Sequence, residues 1–63
     1  MNTIFLTEYE GNGWVLTLDD KTIQVDGIPK AKRLALAYTT TRQISQRSLI
    51  IYYKNGRTGE ESI

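Results

Sequence analysis

Asp19 and Asp20 are the first residues in this chain that could do chemistry as a pair, as coupled carboxylates or as ligands for a divalent cation. Adjacent side chains in a turn diverge, however, and no third acid has a spacing that converges on them, so a solvated turn is expected. The 63 residues contain no His and no Cys. That removes the commonest general bases and nucleophiles, the usual zinc ligands and any disulfide. Ser45 and Ser48 have no base to activate them. Gly11-Asn12-Gly13 is too short to cradle a phosphate and precedes a strand instead of a helix, which makes it a hairpin turn. No catalytic residue, cofactor, metal or small-molecule substrate is expected.

The cations are more suggestive. The net charge is only +1, yet the signs are segregated along the chain. Residues 1–28 carry Glu8, Glu10, Asp19, Asp20 and Asp26 against Lys21 alone. Residues 29–57 carry Lys30, Lys32, Arg33, Arg42, Arg47, Lys54 and Arg57 and no acid, and Glu60 and Glu61 follow. Such clustering can be simple solvation, or a basic surface that meets an anionic partner. Lys30, Arg33, Arg42, Arg47, Lys54 and Arg57 are the expected partner-binding residues on the second view. Tyr52, Tyr53 or Trp14 could then stack on bases.

These side chains must be positioned by a small set of elements. Thr3 to Tyr9 alternates and predicts a first strand; Trp14 to Leu18 predicts a second, and Thr22 to Val25 a third. Pro29 suits the first turn of a helix, with Asp26 as its expected cap. From there Ala31, Leu34, Ala35 and Tyr38 share one stripe, for about four turns. The Thr39-Thr40-Thr41 run is a poor helix former and leaves the end open between Thr39 and Gln46.

Ser48 to Lys54 is a fourth strand, rich in β-branched and aromatic residues. Asn55-Gly56 predicts a type I′ turn, with positive φ at both residues, and Arg57 to Ser62 returns as an edge strand weakened by Gly59. The order β-β-β-α-β-β is an α+β fold, a small antiparallel sheet with one helix packed on one face. The expected core is Leu16, Ile23, Leu34, Tyr38, Leu49 and Ile51, with Trp14 at its margin.

The fourth strand does not alternate. Leu49, Ile51 and Tyr53 fill one face, while Ile50 and Tyr52 fill the other. One helix covers one face, so Val15, Ile50 and Tyr52, together with Ile4, are left over. A chain this short hides only about 60% of the surface its unfolded form exposes. Without disulfide or zinc, oligomerisation is the remaining remedy. A single domain, residues 1–63, is expected to form a homodimer through Val15, Ile50 and Tyr52. No stretch reaches the roughly 20 apolar residues of a membrane span, and the first residues do not read as a secretory signal. A cytoplasmic protein is the expectation.

Several of these motifs recur together elsewhere. Gly13-Trp14-Val15, Lys30-Ala31, Ala35, Leu49-Ile50-Ile51, Asn55-Gly56-Arg57 and Glu60-Glu61 follow one another in this order. The succession resembles the small bacterial domain-of-unknown-function family numbered, in words, twenty-one eighty-eight. The helix departs from it, since Leu34, Tyr38 and the threonine run replace a more alanine-rich, acidic pattern. The resemblance implies the same sheet-plus-helix fold and no activity. The compact size also looks similar to bacteriophage accessory proteins. The functional expectation is a non-enzymatic, self-associating regulator or inhibitor that binds another protein. The alternative is a nucleic-acid-binding accessory protein that uses the basic helix and last hairpin.

Overall fold

The computed structural model describes residues 2–11 and 13–63, so the middle residue of the expected Gly11-Asn12-Gly13 turn lies outside it. Five strands and one helix follow in the order β1 (Ile4–Tyr9), β2 (Gly13–Leu18), β3 (Lys21–Val25), α1 (Ile28–Thr41), β4 (Ser48–Tyr52) and β5 (Thr58–Ser62). They form one five-stranded sheet in the order β3-β2-β1-β4-β5, with the helix on one face. The fold is α+β. The sheet is mixed, though: β1 and β4 pair in parallel, Leu6 beside Ile51, while the other three pairings are antiparallel. A helical crossover between β3 and β4 allows this, because a hairpin can join only antiparallel neighbours.

The core follows the parity of the strands. Leu6, Leu16, Leu49 and Ile51 are fully enclosed, and Ile4, Leu18 and Val25 nearly so. Ile4 therefore belongs to the core and not to the open face, where Phe5 takes its place. Of the expected core, Ile23 is instead 37% exposed on the edge strand, and Leu34 and Tyr38 are half-buried flanks. The helix buries Ala31, Ala35 and Thr39, four residues apart, so its axis lies close to the sheet over small side chains. Thr39 satisfies its own hydroxyl by donating to the Leu36 carbonyl at 3.0 Å.

The N-cap differs from expectation, while the helix ends at Thr41, inside the range Thr39 to Gln46 left open by the sequence. The N-cap is Gly27 with no side-chain bond, and Asp26 stands one residue too early, exposed in a bend. At the other end Ile44 N–H donates to the Thr39 carbonyl and Gln43 N–H to that of Thr40. That crossed pair is a Schellman motif, and Gln43 occupies its left-handed position at φ 57°. Ile44 then packs against the core. The β4–β5 turn is not type I′ either. Gly56 alone has positive φ, and its N–H donates to the Tyr53 carbonyl while Tyr53 N–H reaches Arg57. This is a three-residue loop with glycine at its left-handed position.

Candidate functional site: an open sheet face and its edges

The face away from the helix can be built from the register. One row runs Thr22, Thr17, Phe5, Ile50 and Glu60, and the next runs Gln24, Val15, Thr7, Tyr52 and Thr58. Ser48 and Ser62 lie at one end and Tyr9 at the other. Among the described strand residues of this face, Glu60 carries the one charge. Phe5 and Tyr52, on the adjacent central strands, meet edge to face with centroids 5.5 Å apart. Tyr52 and Tyr9 are about half exposed. Val15, Ile50 and Tyr52, the residues expected to self-associate, are thus brought together on one surface. Phe5 was not among them. Its alternation with Thr7 and Tyr9 is visible in the sequence, but only the pairing of β1 between β2 and β4 places it beside Ile50.

The six expected cationic residues are not gathered. Lys30 and Arg33 lie one turn apart on the exposed helix. Arg42 is twelve positions beyond Lys30, about 18 Å along a helix, and stacks over the Tyr38 ring at 4.4 Å. Arg47 precedes β4 and donates to the Ile44 and Gln46 carbonyls. Lys54 and Arg57 flank the opposite end of β4, in the last turn. The helical cations and the open face are on opposite sides of the sheet. Trp14 and Tyr53 pack against each other on the helix side, 6.1 Å apart, so of the three expected stacking residues only Tyr52 faces out.

Asp19 has a different role from a metal ligand. Its N–H donates to the Thr3 carbonyl, and its carboxylate accepts from Thr3 N–H at 2.7 Å and from the Tyr38 hydroxyl at 2.5 Å. The Tyr38 hydroxyl, with the Thr3 amide second, holds the Asp19 carboxyl below its ordinary value of 3.8. The residue therefore ties β1, the β2–β3 turn and the helix together, with Arg42 above the same tyrosine. Asp20 is exposed and takes no part. On the other flank of the helix Lys32 pairs with Glu61 of β5 at 3.3 Å.

Together these features define a small α+β domain with one sheet face unclothed and its two sheet edges exposed. In comparisons with known proteins, no family model, curated protein or solved structure matches this chain. No helix is long and apolar enough to cross a membrane.

Proposed function

We propose that the protein is a non-enzymatic interaction module that self-associates through its open sheet face and acts as a regulator or inhibitor by occupying another protein. The observation that carries this reading is the near absence of charge on a face rich in aromatic and β-branched side chains. An uncovered sheet face ordinarily carries charged as well as neutral polar residues; here threonines, Gln24, Ser48 and Ser62 surround an apolar centre of Phe5, Val15, Ile50 and Tyr52. A second copy fits, because a two-fold face-to-face pair meets its own residues and a charge-free centre repels nothing. Five strands about 4.8 Å apart and five residues of about 3.3 Å give a face of roughly 24 by 16 Å. That is smaller than the roughly 800 Å² per partner of a standard interface, so the pair is a reversible one.

Sedimentation across a concentration series tests this. The unmodified chain should associate in the micromolar range, and Ile50→Lys should weaken that association markedly with unchanged circular dichroism. A monomer mass for the unmodified chain at high micromolar concentration sinks the reading.

The nucleic-acid reading keeps one supporting observation, Tyr52 exposed on the sheet with Lys54 and Arg57 at the end of its strand. Titration with single-stranded DNA and RNA at two salt concentrations decides it, since phosphate contacts produce a steep salt slope.

A further inference from the structure

The two edges of the sheet are defended differently. Asp19 N–H donates to Thr3, so the odd residues of β2 bond to β1 and its even residues bond to β3. Trp14, Leu16 and Leu18 therefore occupy Val25, Ile23 and Lys21, their register partners. Thr22 and Gln24 are left with N–H and C=O groups pointing away from the sheet, since successive residues of a strand alternate sides. By the same logic Tyr53 N–H to Arg57 and Ile63 N–H to Arg47 leave Thr58, Glu60 and Ser62 outward on β5.

From these edges we infer that β3 pairs antiparallel with β3 of a second copy, giving a continuous ten-stranded sheet. The outward groups allow one register with the most bonds: Thr22 opposite Gln24 of the second copy, twice, with Ile23 opposite Ile23. In that register Lys21 stands opposite Val25 and no like charges meet inside the strands, while Asp20 and Asp26, exposed just beyond the strand ends, face each other where solvent screens them. Pairing β5 with itself in the equivalent register sets Glu60 against Glu60, which is destabilising. Acidic side chains of this kind guard an edge. The β3 edge, Lys21-Thr22-Ile23-Gln24-Val25, has one charge at its end and good strand formers elsewhere.

The helix side of the same edge supports the pairing. Ile23 is 37% exposed beside a groove lined by Leu18, Leu34, Ala37 and Tyr38. In the paired sheet the second Ile23 closes the open side of that groove. The seam lies at the sheet edge and not on the open face, so it is independent of the face-to-face contact proposed above.

Cross-linking tests the register directly, because the chain has no other cysteine. Ile23 and its copy form a non-hydrogen-bonded pair, with Cα atoms about 4.5 Å apart, within disulfide range. Ile23→Cys should convert largely to a disulfide-linked dimer under mild oxidation, whereas Thr22→Cys and Gln24→Cys, which face each other and not themselves, should do so several-fold less. The same result is expected in the Ile50→Lys background, which separates the edge from the face. A second variant, Gln24→Pro, removes an outward N–H that bonds nothing within one chain. It should leave the fold intact by circular dichroism and, combined with Ile23→Cys, abolish the cross-link. Equal cross-linking from all three cysteine positions, or none from Ile23→Cys, overturns the pairing.

Discussion

Three single residues carry conformational or electrostatic burdens that substitutions can relieve or expose. Gln43 sits at φ 57° in the left-handed position that closes the helix. Glycine adopts that conformation without a Cβ penalty. Gln43→Gly should therefore stabilise the fold by about 0.5 to 1 kcal/mol, given the roughly 1 kcal/mol or more that a side chain costs there. The measurement is a thermal melt, rising several degrees for a domain of this size. Asp19 is the second case. Its carboxyl is held below 3.8, chiefly by the Tyr38 hydroxyl. A lowered folded value means its contribution is present above the unfolded pKa and is lost as pH falls through the folded one. Denaturant melts between pH 5 and about pH 2 should lose stability, and Asp19→Asn should flatten part of that loss. An identical pH profile in the variant would remove Asp19 from the argument. Gly59 is the third. A Cβ there would stand 2.9 Å from Cε2 of Tyr53. Gly59→Ala should cost about 1 to 3 kcal/mol as the ring is displaced from Trp14, and much less in a Tyr53→Ala background.

At the scale of elements, the strands were legible because alternation and turn residues agree: Trp14, Leu16 and Leu18 do share the covered face. The helix was legible from Pro29 and its apolar period, and β5 from the Asn55-Gly56 signal. What was not legible depended on contacts distant in sequence. The parallel register of β1 against β4 carries no local signature, and it decides that Ile4 faces in and Phe5 out. The helix stripe was read towards Leu34 and Tyr38 because large side chains weigh most in a periodicity. Of the stripe Ala31, Leu34, Ala35 and Tyr38, the structure fully buries Ala31 and Ala35 and adds Thr39, while Leu34 and Tyr38 stay half-buried, since small residues let the helix lie close to the sheet. Gly59 read as a weakness in β5, yet it makes room for Tyr53. Asp19 read as a solvated turn, and nothing near it in sequence announces Thr3 or Tyr38 as partners. The open face was legible in outline from Ile50 and Tyr52; that Glu60 is the one charge among its described strand residues became visible only when five strands were laid side by side.

For the whole molecule, size is the governing quantity. A core centred on four fully buried aliphatic side chains supplies roughly 3 to 5 kcal/mol in a domain below about 70 residues. Association of the proposed kind would contribute a noticeable share of that total, and would do so by mass action. If the open face pairs reversibly in the micromolar range, raising the protein from low to high micromolar concentration should add about 1 kcal/mol per chain. For a domain of this length that is about 4 to 8 °C in melting temperature. With both contacts blocked, the double variant Ile50→Lys/Gln24→Pro should melt at the lower temperature throughout, and its curve should not move with concentration. Gln43→Gly should raise both curves equally, because Gln43 lies at the helix end, away from the face and from β3. A melting temperature that stays fixed for the unmodified chain over the same range would mean that the exposed face stabilises nothing, and the self-association reading would fall with it.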